Sequence, residues 1–265
     1  MSKKITIFHL YPDAMNLYGD LGNVIAITKR CQWRNVDTEI VNVHVGDKVD
    51  FSKADLIFMG GGQDSGQNIV ANDLVGKGPA IKTAIDEGVA ALTICGGFQL
   101  FGQYFQTISG EKIPGIGIFN AYTVAKDKRL IGNVVIDIAH ALTDWKNQFN
   151  IPPVSGGRTT LVGFENHSGQ TLLNPGAKPL GYVTQGYGNK GDGGYEGAIY
   201  KNAFGTYLHG SLLPKNPWFT DHLIQCALYH RYGNVELLQE LDDSIEMAAH
   251  DVAIRRAETA KTVSI

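Results

Sequence analysis

A chain of 265 residues, 43% hydrophobic and 18% charged, holds enough apolar side chain for a sizeable core and has the composition of neither a disordered nor a fibrous protein. Its formal charge of -3 and pI of about 6.2 leave no basic excess to neutralise phosphates, which argues against nucleic acid as a partner and for a small polar ligand or another protein. Three cysteines, Cys31, Cys95 and Cys226, offer neither a disulfide framework nor a Cys-x-x-Cys pair, so a reducing, cytoplasmic setting is expected.

Taken in chain order, the N-terminal apolar run is broken by His9 and Pro12 and is too short for a secretion signal or a membrane span. β-Branched runs at 5–11, 38–45, 54–61 and 89–94 predict strands. Helical spacing at 21–34 and 80–88 separates them, and this alternation predicts right-handed crossovers feeding a parallel sheet. After Gly102 the texture changes to strand-like pieces divided by Gly, Asn and Pro, which predicts additional β-structure in the second half. From Asn216 onward two helices are expected, the last over about 234–260, acidic early and basic late as its dipole prefers. Its Leu237, Leu238, Leu241 and Ile245 read either as a docking face or as core. No linker, repeat or low-complexity tract interrupts the chain, so the expectation is a single α/β domain over 1–265, with a mainly parallel sheet flanked by helices.

The stretch "LTICGGFQLFG" ends a predicted strand in a cysteine followed by two glycines, and a helix is expected over 97–104. A tight strand-to-helix turn of this kind lifts a nucleophile above the sheet edge. Gly96 and Gly97 allow close approach, and a helix N-terminus aimed at the sulfur favours thiolate. Cys31 and Cys226 lack this context and read as small buried hydrophobes. A second glycine cluster, "FMGGGQDSGQ", ends the neighbouring predicted strand, where parallel sheets build ligand sites. Its backbone N–H groups, with that of Gly96, are candidates to stabilise an oxyanion; a tight turn or a phosphate cradle is the alternative, and no Gly-Lys-Ser/Thr follows to make a nucleotide loop. A thiol nucleophile needs an acid and base near neutral pH. His209 in "FGTYLHGSLLPKNP" and His167 in "VGFENHSG" both end strand-like runs, and spacing alone does not choose between them.

"ICGGFQLFG" resembles the nucleophile segment of class I, triad-type glutamine amidotransferases, and "GFENHSG" paired with "YLHGSLLPKNP" resembles their cobyric-acid-synthase-like branch. Read whole, "HLYPDAMNLYGDLGN", "GGGQD", "ICGGFQ", "KRLIGN" and "YLHGSLLPKNP" resemble, in order over 5–233, the glutaminase subunits of lipid II isoglutaminyl synthases. The resemblance implies a flavodoxin-like amidotransferase fold, with Cys95 as nucleophile and His209 as base and acid. Gly61 or Gly62 with Gly96 would form the oxyanion hole, Arg129 would bind a substrate carboxylate, and Gln99 would support the amide pocket. It further implies a heterodimer with a MurT-like Mur ligase, to which this chain supplies ammonia from L-glutamine. The partner would use ATP and magnesium to amidate the D-glutamate α-carboxylate of lipid II, giving D-isoglutamine at the inner face of the membrane. This chain would need no cofactor or metal of its own.

One departure stands out. Many triad-type relatives carry a glutamate two residues after the catalytic histidine, where this chain has Ser211. The third, orienting group is therefore open: Glu165 is a candidate, and a group supplied by the partner is the preferred expectation. Two other readings are an amidotransferase of a cobyrinate-type pathway and a non-catalytic binding module of the same fold.

Overall fold

The computed structural model describes residues 2–62, 64–143, 157–233, 237–259 and 263–264. Strands β1 (Lys3–Leu10), β2 (Val36–Val43), β3 (Leu56–Met59) and β4 (Ala90–Ile94) run parallel, linked through helices α1 (Leu21–Gln32) and α2 (Asp64–Asp86). The predicted helix at 80–88 is the end of the much longer α2. Beyond α3 (Gly96–Phe101) come β5 (Tyr104–Gln106), β6 (Lys112–Pro114), the 17-residue β7 (Ala121–Asp137), β8 (Thr160–Leu173), β9 (Gly181–Gln185), β10 (Tyr195–Glu196), β11 (Ala198–Tyr200) and β12 (Ala203–Thr206). Helices α4 (Pro217–Tyr232) and α5 (Ser244–Thr259) and a short β13 (Val263–Ser264) close the chain.

These strands form two sheets. The first has the order β11-β12-β4-β3-β1-β2, with β12 entering parallel beside β4 and only β11 antiparallel. Its inner strands β3, β4 and β12 are buried at every residue, as expected where both faces are covered; the edge strand β2 exposes Ile40. The second sheet, β10-β9-β7-β5-β6, is largely antiparallel, and β8 and β13 also pair with β7. One continuous set of buried residues runs from Ile5 and Ile7 through Phe98, Phe119 and Phe204 to Ile136 and Leu161, so the two sheets share a core. Among the described residues no helix is long and apolar enough to cross a membrane.

Two helix boundaries differ from expectation. The helix after Cys95 covers only Gly96–Phe101, because the chain turns at Gly102 into β5. The last helix begins at Ser244 rather than near 234; residues 234–236 and 260 lie outside the described residues, and 237–243 is not helical. Asp242 accepts the Ser244 N–H at 3.1 Å, a helix-start bond, and Asp243 is drawn onto Arg30, which also grips Asp221 of α4 through two nitrogens. That buried ion cluster, joined by Arg34, spends the 237–243 segment on bracing α1 against α4. Accordingly Leu238 packs on the core, while Leu237 and Ile245 are exposed and do not share one helix face.

Candidate active site

Three parallel strands deliver the site. Cys95 follows the last residue of β4, Gly60 and Gly61 follow β3 next to it, and His209 lies three residues beyond β12 on its other side. The chain makes the sharp turn the glycine context predicts: Cys95 has φ +49° and ψ -105°, a conformation that side chains rarely adopt and that costs roughly 1–3 kcal/mol. The turn is pinned by Cys95 N–H donating to the Thr206 carbonyl at 2.8 Å and by Gln99 N–H donating to the Cys95 carbonyl at 2.9 Å. Cys95 is nearly buried, at 8% exposed.

Gly61 and Gly97 make the closeness possible. A Cβ on Gly61 would sit 2.8 Å from His209 Cε1 and 3.4 Å from the Cys95 Cβ; one on Gly97 would sit 2.7 Å from the Met59 carbonyl oxygen, holding α3 off the end of β3. His209 is fully buried and lies beside Cys95 around Gly61, and its Nδ1 is 3.3 Å from Asp20 Oδ1. Burial works against a charged imidazole, but a thiolate at Cys95 and the Asp20 carboxylate outweigh it and push His209 up to about 10. This is a charge-paired arrangement in which the histidine can hold the thiol's proton.

Asp20 is the residue that sequence reasoning missed. It stands at the start of α1, where an aspartate ordinarily caps the helix, yet its side chain makes no capping bond; Asn16 Oδ1 instead accepts the Leu21 N–H at 2.8 Å. Freed from that task, Asp20 is fully buried and accepts the Gly61 N–H at 2.7 Å while facing His209. The Asp20 loop is fastened to the His209 loop by Ser211 Oγ donating to the Gly19 carbonyl at 2.7 Å. Thus Ser211, which occupies the position of the missing glutamate, ties in the loop whose aspartate faces the ring. The sequence signals for Asp20 are its place in "HLYPDAMNLYGDLGN" and a helix start that offers two capping residues, Asn16 and Asp20.

Three expectations are corrected. Glu165 does not face His209: it is buried on β8 and accepts the N–H groups of Tyr187 at 2.6 Å and Gly188 at 2.9 Å, which makes it the anchor of that turn. The position beside Nδ1 has an occupant within the chain, so a partner-supplied group is not needed to orient the ring. Gly61 also leaves the oxyanion set, because its N–H is committed to Asp20. Gly62 and Gly96 stay as candidates, Gly96 being the first residue of α3, where an N–H has no acceptor inside the helix.

The remaining predicted residues make other contacts. Gln99 is buried and donates from Nε2 to the Tyr207 hydroxyl at 3.1 Å, tying α3 to the chain just before His209 rather than lining an open amide pocket. Arg129 is exposed on β7, at the register break between Ala125 and Leu130, and donates from Nε to Asn166 Oδ1 at 2.5 Å. Asn166 lies two residues along β8 from Phe164, whose backbone pairs with that of His209. His167 is one ring further back, stacked on Tyr207 at 3.7 Å with Nδ1 donating to the Gly169 carbonyl. Cys31 and Cys226 are buried thiols pushed up to about 12 by desolvation, consistent with packing roles.

Residues 6–217 match the family model described as the CobB/CobQ-like glutamine amidotransferase domain. The chain is 38% identical over 258 residues to the GatD subunit of lipid II isoglutaminyl synthase (glutamine-hydrolyzing) of Staphylococcus aureus, covering 97% of this chain and 98% of that one. It is 37% identical to the Streptococcus pneumoniae subunit of the same name, over 91% and 86% of the two chains. The structure of Thermotoga maritima PurLQS is similar in fold, with a TM-score of 0.57 at 15% identity, covering 87% of this chain and all of that one. With a turn built for a nucleophile at Cys95 and sequence likeness from end to end, the chain belongs to the CobB/CobQ-like glutamine amidotransferase family.

Proposed function

We propose that this chain is the glutamine-hydrolysing subunit of a lipid II isoglutaminyl synthase, releasing ammonia from L-glutamine for a Mur-ligase-like partner. The observation that carries the reading is the Cys95–His209–Asp20 line at the strand ends, found in a chain 38% identical over nearly its full length to a subunit of that name.

In the mechanism, Cys95 Sγ attacks the carbonyl carbon of the glutamine side-chain amide. The C=O electron pair moves onto oxygen, and Gly96 N–H with Gly62 stabilises the resulting oxyanion. Collapse of that intermediate expels the nitrogen, which leaves as ammonia with the proton that His209 took from the thiol. Water, deprotonated by His209, then splits the glutamyl thioester into glutamate and the free thiol. Asp20 keeps the imidazole oriented and balances its charge through both steps. Arg129 at the rim offers its guanidinium to a carboxylate of the substrate, a pairing for which its planar fork is suited.

Ammonia released in a buried cleft stays unprotonated only if it is passed on before it meets bulk water. A MurT-like partner docked over the site would receive it and, with ATP and magnesium bound on its own side, amidate the D-glutamate α-carboxylate of lipid II at the inner membrane face. The test is ammonia release from L-glutamine by the wild type and Cys95→Ala, each alone and with a co-expressed Mur-like ligase. Release that depends on Cys95 is expected; no release in either state overturns the reading.

A further inference from the structure

Glu196, on β10, has no part in the chemistry above, yet its carboxyl is fully buried and both oxygens are used. Oε1 accepts the Tyr207 N–H at 2.6 Å, and Oε2 accepts the Thr206 hydroxyl at 2.9 Å. The same Thr206 oxygen accepts the Leu208 N–H at 3.1 Å. These bonds fall where the sheet stops: β12 ends at Thr206, and the next strand-like pairing is the bridge between Phe164 and His209. Between those points the main chain would have no ladder to hold it. Glu196, directly and through Thr206, takes up the donors of residues 206–208.

What that stretch carries makes the clamp matter. Thr206 gives its carbonyl to the Cys95 N–H, and His209 follows Leu208. The nucleophile and the base are therefore hung from the two ends of one four-residue piece of chain. Glu196 is itself fixed from behind, since Asn189 accepts the Gly197 N–H at 2.7 Å and donates to the Gly197 carbonyl at 3.1 Å.

We infer that Glu196 is a positioning residue for the cysteine–histidine pair: its carboxyl stands in for the absent strand partner of residues 206–208 and so sets where His209 meets Cys95. The inference rests on the glutaminase reading. Burial, reinforced by Glu165 nearby, pushes the Glu196 carboxyl up to about 8 against the pull of the hydrogen bonds from Tyr207, Thr206 and Gly197. The titratable groups around it are Glu165, His167 and Tyr207, and glutamine keeps its shape and the acceptor for the Tyr207 N–H, while its amide N–H can donate to the Thr206 oxygen in place of the bond Thr206 gives the carboxyl.

The experiment compares Glu196→Ala, Glu196→Gln and Thr206→Val with wild type at pH 7. It measures thermal unfolding, kcat and KM for glutamine, and the rate of Cys95 alkylation by iodoacetamide followed by mass spectrometry. In folded Glu196→Ala and Thr206→Val, kcat is expected to fall about 10- to 100-fold, as for a misplacement of an ångström or less, with KM little changed and alkylation slowed in parallel. Glu196→Gln restores both rates. A folded Glu196→Ala with wild-type kcat and alkylation overturns the inference, as does equal loss in the glutamine and alanine variants. Should Glu196→Ala fail to fold, Thr206→Val decides, since it removes only the hydroxyl arm of the clamp. If wild type releases no ammonia, the glutaminase reading fails, and the alkylation series still decides whether Glu196 positions the thiol.

Discussion

Among the described residues, two fully buried histidine–carboxylate pairs, His209 with Asp20 and His167 with Glu165, differ in what the rest of each group touches. His209 puts Nδ1 on Asp20 and lies beside Cys95, in a gap opened by Gly61 at the ends of parallel strands. His167 puts Nδ1 on the Gly169 carbonyl and its face on Tyr207, and its Nε2 is 3.6 Å from a Glu165 whose oxygens already serve Tyr187 and Gly188. Both pair an imidazole with a carboxylate; the neighbour across the ring, a thiol in one and a tyrosine in the other, distinguishes them. Parallel strand ends leave a crevice facing loops, whereas the antiparallel ribbon of β7 and β8 closes over its own side chains.

The strongest way to break this contrast is at the sulfur. Cys95→Ala is expected to lower ammonia release by at least about 1,000-fold while leaving the far-UV spectrum intact, since the turn around it is held by backbone bonds. Next comes the pair itself. Asp20→Asn keeps the shape but loses the charge that favours the imidazolium, and kcat is expected to drop roughly 100-fold or more, with a smaller change in KM. Near-wild-type kcat in folded Asp20→Asn would remove Asp20 from the line.

The same pair predicts a pH signature. His209 is raised above its ordinary 6.5 to about 10, so its contribution to stability is whole below pH 6.5 and is lost as pH climbs through 10. Urea unfolding of wild type across that window is expected to show declining stability, and Asp20→Asn a shallower decline. At the rim, Arg129→Ala is expected to raise KM for glutamine about 10-fold with kcat nearly kept, the mark of lost uniform binding. The second pair sharpens the comparison by its small catalytic effect. Glu165→Ala strands two backbone donors at about 1–3 kcal/mol each, so its midpoint in urea should fall while kcat of the folded protein stays within a few-fold. A kcat loss as large as that of Asp20→Asn would erase the distinction.

How much of this was legible beforehand follows from the range of the forces involved. Strands β1 to β4, the elbow at Cys95 and the glycine cluster after β3 show as local patterns, because β-branched runs, turn glycines and helical spacing act within a few residues. The packing roles of Cys31 and Cys226 follow from the absence of any such context. The last helix was placed some ten residues early because its apolar spacing continues upstream, where Arg30 draws Asp243 into an ion cluster no local rule contains. Glu165 is only a candidate in the sequence, beside a partner-supplied group; Asp20, which holds that place, is 189 residues from His209.

Sequence by itself thus determined the inventory: a parallel α/β core, a nucleophile turn at Cys95, a short choice of histidines, and a family likeness spread along the chain. Tertiary structure alone decided which histidine meets the thiol, which carboxylate meets that histidine, and which glycine N–H is already taken. The physical reason is that hydrogen bonds and ion pairs act over a few ångströms of space, and only the order in which strands join the sheet determines which distant residues come within that reach.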